Sequence, residues 1–129
     1  MLSVAQLLPQ SLIILDVDYF RCVNNNYGHL VGDRVLQILA MRLQNHLRSE
    51  DTIFRYGGEE FVIILSNTDA VIVRKIADRL RVLIGSQLIS IESSLSINIT
   101  ISLGTATLKP TDDAQSQFTI TSRSILAAS

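Results

Sequence analysis

Residues 55–61 read Arg55-Tyr56-Gly57-Gly58-Glu59-Glu60-Phe61, so that two glycines stand directly before two acids. Ile53 and Phe54 precede this stretch and an apolar run, residues 61–65, ends it, which predicts a β-hairpin with the glycines at its tip. Glycines there can adopt positive φ angles and leave bare backbone against which a ligand can lie. Two adjacent carboxylates repel each other unless a cation or solvent relieves them. A solvated turn with two surface acids is the alternative that this stretch alone leaves open.

A second acidic position follows the first apolar run of the chain. Residues 12–15 are Leu-Ile-Ile-Leu and lead into Asp16-Val17-Asp18, which predicts a strand buried on both faces. Asp16 then lies at the carboxyl end of the strand, where acids often contact a ligand, or it caps the following helix. If this strand neighbours the hairpin, Asp16 and Glu59 can share one divalent cation with backbone oxygen and water. Mg²⁺ held in this way beside glycines is a usual arrangement for binding a triphosphate.

The segments between and after these strands carry helical patterns. A short helix is predicted from Tyr19 to Tyr27, ending at Gly28. Apolar residues at helical spacing predict a second helix that opens at Gly32-Asp33, with Asp33 as its N-cap. A third helix is predicted over residues 70–85, after a cluster of turn and cap residues.

The remaining pattern indicates strands and then fades. Residues 88–91 and 95–103 predict strands, the second by clean alternation, with a bend at Gly104 and a continuation over residues 105–108. Residues 109–129 have no convincing pattern, so we expect a frayed or loosely docked tail. The order is β-α-α-β-β-α-β, which predicts one α+β domain over residues 1–129, with a core at 11–108 and a mostly antiparallel sheet flanked by helices.

Composition excludes several classes of protein. The chain has 129 residues, a net charge of −1 and 47% hydrophobic residues, which favours one packed domain without an electrostatic grip on nucleic acid. No apolar run is long enough to span a membrane, and no signal peptide is visible. The single cysteine excludes an internal disulfide and a zinc site of several thiolates. We therefore expect a cytoplasmic protein.

Taken together, these motifs resemble the signature of the GGDEF family, the bacterial diguanylate cyclases. The matching residues are Asp16-Val17-Asp18-Tyr19-Phe20, Asn24, Tyr27-Gly28-His29, Gly32-Asp33 and Gly57-Gly58-Glu59-Glu60-Phe61, in the family's order and spacing over residues 11–108. The resemblance implies a nucleotidyl-cyclase palm-like fold that condenses two GTP into cyclic di-GMP and two pyrophosphates. It also implies Mg²⁺, with Mn²⁺ as a substitute, a homodimer for catalysis, and an upstream sensory or receiver domain in family members.

The family's site residues carry over to positions in this chain. As metal ligands, the resemblance implies Asp16, Glu59 and the Val17 carbonyl. The residues implied for substrate binding are Asn24 and Asp33 at the guanine edge, His29 beside them, Arg21 near the phosphates, and Gly57 and Gly58 against the nucleotide. Glu59, or Glu60 beside it, is the candidate to accept the proton of the 3′-hydroxyl.

A further motif precedes the hairpin. Arg48-Ser49-Glu50-Asp51 has the Arg-x-x-Asp form, which in the family is the product-inhibition site that binds cyclic di-GMP. Arg79 resembles the second arginine of that site, and an arginine fork suits phosphate and the guanine edge. The alternative is an arginine at a helix end and an aspartate at a strand start, both on the surface.

The two ends of the chain depart from the family pattern. The family's preceding helix has no counterpart, and nothing after Leu108 resembles its closing helix with a lysine and an arginine for the GTP phosphates, so we expect a domain truncated at both ends. The intact hairpin favours a cyclase. The missing closing motif favours a degenerate domain that binds cyclic di-GMP through Arg48, Asp51 and Arg79. A protein-interaction domain with vestigial motifs is a third possibility.

Overall fold

The computed structural model describes residues 8–110 and 116–121, and of residues 109–110 and 116–121 it describes only the backbone. Its elements in chain order are β1 (Gln10–Val17), α1 (Phe20–Tyr27), α2 (His29–Gln44), β2 (Thr52–Arg55), β3 (Glu60–Leu65), α3 (Ala70–Gly85), β4 (Ile89–Glu92), β5 (Leu95–Ile97), β6 (Ile101–Pro110) and β7 (Ser116–Thr121). The helices of this part of the chain are all too short or too polar to cross a membrane.

A five-stranded antiparallel sheet organises the molecule. Its strand order is β2-β3-β1-β6-β7, so β1 is the central strand, and β4 and β5 form a separate two-stranded sheet. The predicted α+β class with an antiparallel sheet flanked by helices is confirmed. The predicted hairpin is confirmed as well, because β2 and β3 pair around residues 56–59.

The hydrophobic core lies between the sheet and the helices. Alternate residues of β1 are buried and Ile14 is exposed, so only one face of the strand lies against the core and the prediction of burial on both faces was wrong. The buried stripes of α2 and α3 join these residues in a single cluster. The fully buried large side chains are Ile13, Leu15, Val35, Leu39, Leu43, Ile63, Leu65, Leu80, Ile84, Ile89, Ile101 and Leu103. This packing holds the end of β1 rigidly beside β3 and β6.

The boundary between α1 and α2 differs from the prediction. Gly28 ends α1 as expected, with a φ of 91°, but α2 begins at the next residue, His29, and not at Gly32. Asp33 therefore lies inside the helix and is not its N-cap, so that prediction was wrong. The positive φ at Gly28 is enough to end one helix and start another without an intervening loop.

Gly32 has a reason of its own to lack a side chain. A Cβ built on Gly32 would stand 1.9 Å from Asn24 Oδ1 and 3.1 Å from Phe20 Cζ. This glycine therefore lets the side chains of α1 lie directly against the backbone of α2, and Asn24 is held in that contact.

Three predictions for the C-terminal third were wrong. The alternating run 95–103 is not one strand, because β5 ends at Ile97 and β6 begins at Ile101. Gly104 makes no bend and pairs with Ile14 within β6. Residues 116–121 of the expected tail form β7, which pairs with β6 from Thr105 onward. An added strand is stabilised by the hydrogen bonds of its neighbour, which periodicity within six residues does not reveal. The rest of the tail, 111–115 and 122–129, lies outside the described residues.

Gly32→Ala is expected to lower the free energy of unfolding by roughly 1–3 kcal/mol, because the new methyl group would overlap the Asn24 side chain. Urea unfolding monitored by circular dichroism measures this change. Gly85→Ala is the matched control, since its Cβ would meet Thr100 Cγ2 at an ordinary 3.6 Å and alanine favours the helix. Equal stability of the two variants would mean that Asn24 can move away from Gly32 without cost.

Candidate active site

The end of β1 and the start of β3 bring the predicted acids together. Asp16 pairs with Glu60 in the register of β1 and β3, and the Val17 N–H donates to the Glu59 carbonyl oxygen at 3.3 Å. A cleft of about 440 Å³ opens at this junction. The polar residues that line it are Asp16, Asp18, Tyr19, Arg21, Glu59, Glu60 and Ser102. The structure therefore places the three predicted metal-ligand positions, and Arg21, around one cleft.

The carboxyl groups of Asp16 and Glu59 are partly buried and lie near other acids, which disfavours their charged forms. Burial, followed by the nearby charges of Glu60 and Asp18, raises the pKa of Asp16. Burial, followed by the charges of Asp16 and Glu60, likewise raises the pKa of Glu59, although the positive charge of Arg21 opposes that shift. The acids thus repel one another without enough positive charge nearby to compensate, which is the environment that favours a bound cation.

The donor set fits one hard divalent cation. Asp16 Oδ1 is buried and has no hydrogen-bond partner among the described residues, although a buried carboxylate oxygen is normally satisfied. No group of three or more His, Cys, Asp or Glu side chains in the described ranges has a metal-binding arrangement. A cation site here therefore depends on two carboxylates and a backbone carbonyl, with water completing a shell of the kind Mg²⁺ prefers.

A second cleft continues from the first toward α2. It encloses about 380 Å³ and shares Phe20, Glu59 and Glu60 with the first. Its other lining residues are Asn24, His29, Asp33, Leu36, Arg55 and Gly58. The structure thus brings Asn24 and Asp33, predicted to contact a guanine, and His29, predicted beside them, next to the acidic cleft. Asn24 Oδ1 is buried there and has no hydrogen-bond partner within the described part of the chain.

The hairpin glycines matter here for their missing side chains and not for positive φ angles. Gly28 is the glycine with a positive φ in the described residues, so Gly57 and Gly58 do not use the left-handed region and that expectation was wrong. A Cβ on Gly57 would lie 2.7 Å from Glu60 Oε1, whereas a Cβ on Gly58 would meet nothing within 4 Å. Gly57 therefore makes room for a carboxylate, and Gly58 leaves the surface of the turn open.

Arg55 holds this turn from within the hairpin. Its Nε donates to the Gly58 carbonyl at 3.0 Å and to the Gly57 carbonyl at 3.3 Å, and its Nη2 also donates to the Gly58 carbonyl. Three hydrogen bonds from one guanidinium keep both carbonyls on its side of the loop. This restricts the conformation of the backbone that precedes Glu59.

The Arg-x-x-Asp motif forms a compact ion pair outside both clefts. Arg48 Nε and Nη2 donate to the two Asp51 carboxylate oxygens at 3.1 and 2.8 Å, and the Arg48 N–H donates to Asp51 Oδ2. Nη2 also donates to the Ser66 carbonyl and to Thr68 Oγ1. The Arg48 side chain is 46% exposed and that of Asp51 only 3%. Asp51 is therefore a buried partner and not a surface acid, and Arg79 is exposed on α3.

These contacts set the charge state of the pair. Burial opposes ionisation of Asp51, but the hydrogen bonds from Arg48 outweigh it and hold the pKa of Asp51 below its ordinary value. The same hydrogen bonds raise the pKa of Arg48. The pair is ionised at neutral pH, and the stability that it contributes is lost only when the pH falls through the lowered pKa of Asp51.

Asp18, Ser102 and Arg55 line the site although no sequence motif predicted them as site residues. Asp18 and Ser102 line the acidic cleft, and Arg55 lines the adjoining one. Asp18 and Arg55 stand in motifs quoted above, at Asp16-Val17-Asp18 and next to Gly57-Gly58, whereas Ser102 stands in none of them. The contact between Asp18 and Ser102 joins parts of the chain that are distant in sequence, so residue spacing carried no signal for it.

Comparison with known proteins agrees with this arrangement. The family model for the GGDEF domain of diguanylate cyclases matches residues 4–124. Diguanylate cyclase A of Treponema denticola is 39% identical over 94 residues, which are 73% of this chain and 25% of that protein. The response regulator PleD of Caulobacter vibrioides is 39% identical over 97 residues, or 74% of this chain and 21% of that protein. The chain therefore spans a quarter or less of the length of these relatives.

Solved structures have the same architecture. The GGDEF domain of DgcB from Caulobacter crescentus, in complex with c-di-GMP, matches with a TM-score of 0.74 and 28% identity, over 93% of this chain and 65% of that one. The active GGEEF domain of a diguanylate cyclase from Vibrio cholerae matches with a TM-score of 0.71 and 31% identity, over 78% of this chain and 63% of that one. By sequence and by fold, this chain belongs to the GGDEF domain family.

Proposed function

We propose that the chain is the catalytic domain of a diguanylate cyclase, which condenses two GTP into cyclic di-GMP and two pyrophosphates. The observation that carries this proposal is the convergence of Asp16, at the end of β1, and Glu59, in the turn before β3, on a cleft that continues to Asn24, His29 and Asp33. One end of this surface suits a cation and phosphates, and the other suits a purine. The family membership established above supports the same activity.

Asp16, Glu59 and the Val17 carbonyl would hold Mg²⁺, for which Mn²⁺ can substitute. When bound, the ion supplies positive charge to the phosphates and lowers the pKa of a coordinated hydroxyl. A bound cation would stabilise the charged forms of both acids, whose pKa values are raised, and would give the buried Asp16 Oδ1 the partner that it lacks. Arg21, whose charge reaches Glu59, would bind phosphate from the other side.

The guanine would be bound in the second cleft. Asn24 and Asp33 present an amide and a carboxylate, which match the donors and acceptors on the edge of a guanine. His29 lines the same cleft, Gly58 leaves its rim free of a side chain, and Gly57 leaves room for the Glu60 carboxylate. The orphaned Asn24 Oδ1 would gain a donor from the base.

The reaction requires positioning more than covalent chemistry by the protein. The 3′-oxygen of one GTP bonds to the α-phosphorus of the other, the bond from that phosphorus to the bridging oxygen breaks, and pyrophosphate leaves. Glu59, or Glu60 beside it, would accept the proton of the 3′-hydroxyl. The same step with the two nucleotides exchanged closes the ring.

Catalysis would require two copies of the domain. Each copy presents one GTP, so two must face each other across a twofold axis, and a homodimer is the simplest such assembly. Because the two relatives described above are at least about four times as long as the matched part, and one of them is a response regulator, we also propose an upstream sensory or receiver domain that brings the copies together.

The second candidate function is binding of cyclic di-GMP through Arg48, Asp51 and Arg79 without synthesis. The solved DgcB domain that matches this chain contains c-di-GMP. In this chain, Arg48 is half-exposed and held in place by Asp51, and its Nη1, 3.7 Å from Glu50 Oε2, is the guanidinium nitrogen that Asp51 does not engage and that an anionic ligand could approach. The motif could thus act as an inhibitory site of a cyclase or as the whole function of a degenerate domain.

Glu59→Gln is expected to lower the rate of cyclic di-GMP formation from GTP and Mg²⁺ by at least about 100-fold, the order seen when one preorganised electrostatic contact is lost. Chromatography of the nucleotides and a pyrophosphate assay measure the rate. Glu92→Gln, an exposed acid on β4, is the matched control and should keep the wild-type rate. Absence of product from a confirmed wild-type dimer at high concentration would refute the cyclase proposal for this chain.

Asp16→Asn is expected to stabilise the metal-free protein at pH 7 by about 1 kcal/mol, because it removes one like charge from a partly buried cluster. The folded state raises the pKa of Asp16, so ionisation destabilises the fold above the ordinary value of 3.8, and the difference between variant and wild type should vanish at lower pH. Thermal unfolding from pH 3 to 8 in the presence of EDTA measures this difference in stability. In separate samples without EDTA, Mg²⁺ should stabilise only the wild type. A less stable variant at pH 7 would contradict the repulsion argument.

Arg48→Ala is expected to reduce stability by roughly 1–3 kcal/mol, because it deprives the buried Asp51 carboxylate of its two guanidinium donors and leaves it the Arg48 backbone N–H. Arg79→Ala, at an exposed position, should change stability by less than about 0.5 kcal/mol. If the three residues bind cyclic di-GMP, both variants should bind it at least tenfold more weakly by calorimetry. Arg79→Ala is the decisive variant, since its fold is not perturbed, and unchanged affinity there would exclude this site.

A further inference from the structure

The carboxylate of Asp18 is hydrogen-bonded by two hydroxyls, from Thr100 just before β6 and from Ser102 within β6. Its Oδ2 accepts a hydrogen bond from Thr100 Oγ1 at 2.7 Å, and its Oδ1 accepts one from Ser102 Oγ. Its backbone N–H donates to the Thr100 carbonyl at 3.0 Å. Three hydrogen bonds therefore join the residue directly after β1 to residues 100–102, more than eighty positions away in the sequence.

The residue that follows Asp18 has an unusual backbone conformation. Tyr19 has φ 56° and ψ 31°, in the left-handed region that bulky side chains rarely adopt. Such a conformation persists where the surrounding contacts determine it. On one side those contacts are the hydrogen bonds of Asp18. On the other, the Cys22 N–H donates to the Tyr19 carbonyl at 2.9 Å and starts α1.

The same turn determines where the candidate cation ligands lie. The Val17 N–H is bonded to the Glu59 carbonyl, and the Asp18 N–H is bonded to the Thr100 carbonyl. The Asp18 N–H belongs to the same peptide as the Val17 carbonyl, so the Thr100 carbonyl holds that peptide directly, while the Glu59 carbonyl holds the preceding peptide through the Val17 N–H. Loss of the contacts on the Thr100 side would leave the Val17 carbonyl positioned only through the neighbouring peptide on the β3 side.

We propose that Asp18 is a positioning residue, which uses Thr100 and Ser102 to hold the left-handed turn at Tyr19 and, through it, the Val17 carbonyl and Asp16 in the geometry that binds a cation. The inference rests on the cation site of the proposed function. Residues of this kind, which orient ligands without touching the metal, typically change metal affinity by about 10- to 100-fold when they are removed.

The test measures Mn²⁺ affinity directly, by electron paramagnetic resonance of free Mn²⁺, and needs no turnover. A Thr100→Val, Ser102→Ala double variant removes both hydroxyl donors and leaves Asp18 and all candidate ligands in place. We expect about 10- to 100-fold weaker Mn²⁺ binding at a temperature where circular dichroism shows a folded protein. The matched control is Thr52→Val with Ser86→Ala, which removes one hydroxyl on β2 and one after α3 and should leave the affinity unchanged.

Single variants keep the proposal testable if the double variant does not fold. Thr100→Val alone should weaken Mn²⁺ binding, and Thr100→Ser, which keeps the hydroxyl, should restore wild-type affinity. At the turn itself, Tyr19→Val should weaken binding more than Tyr19→Asn, because asparagine tolerates the left-handed region and valine does not.

Asp16→Asn distinguishes a failure of the cation site from a failure of the positioning role of Asp18. If Asp16→Asn loses Mn²⁺ affinity while the hydroxyl variants keep it, the positioning role is refuted and the cation site stands. If Asp16→Asn itself binds as tightly as wild type, the proposed cation site is wrong and the positioning role falls with it. A lower melting temperature with unchanged Mn²⁺ affinity would show a purely structural role for Asp18 and would also overturn the proposal.

Discussion

The pairing of β1 with β3 on one side and β6 on the other is the constraint on which the site depends. This register places Asp16 opposite Glu60 in one neighbour and opposite Ser102 in the other. Val17 is bonded to the Glu59 carbonyl and pairs with Ile101. Because side chains alternate along a strand, a shift of one residue would move Asp16 to the buried face and Val17 out of it. The apolar residues of β1 therefore set the position of the acids.

This arrangement concentrates negative charge in a cleft where it does not stabilise the folded state. Burial and mutual repulsion raise the pKa values of Asp16 and Glu59, and Arg21 offsets only part of that repulsion at Glu59. A protein selected for stability alone would pair or replace such acids. Their retention is understandable if a cation and a polyphosphate complete the site, since strained or unsatisfied groups concentrate where a ligand binds.

The Arg48–Asp51 pair lies outside the acidic cleft and is connected by hydrogen bonds to the start of β1. Thr68 Oγ1 accepts a hydrogen bond from Arg48 Nη2 at 3.1 Å. The Thr68 carbonyl accepts one from Ser11 Oγ at 2.7 Å. The same Ser11 hydroxyl is hydrogen-bonded to Thr107 Oγ1 at 2.8 Å. These hydroxyls are buried, so their hydrogen bonds hold the start of β1 while Asp16 lies at its other end. A ligand that took donors from Arg48 would have to replace contacts that stabilise this network.

The sequence by itself determined the strand before Asp16, the glycine hairpin, the α3 helix after its cluster of turn and cap residues, and the types of residue that meet in the cleft. All of these follow from short-range rules, namely periodicity, capping and turn chemistry, which act over a few residues. Tertiary structure alone decided the start of α2 at His29, the unbroken course of β6 through Gly104 and the addition of β7. It also decided the close contact of Asn24 with Gly32 and the hydrogen bonds that Thr100 and Ser102 donate to Asp18. Each of these depends on a partner that local sequence does not specify, because strand pairing and close packing are settled by the residue opposite and not by the neighbour along the chain.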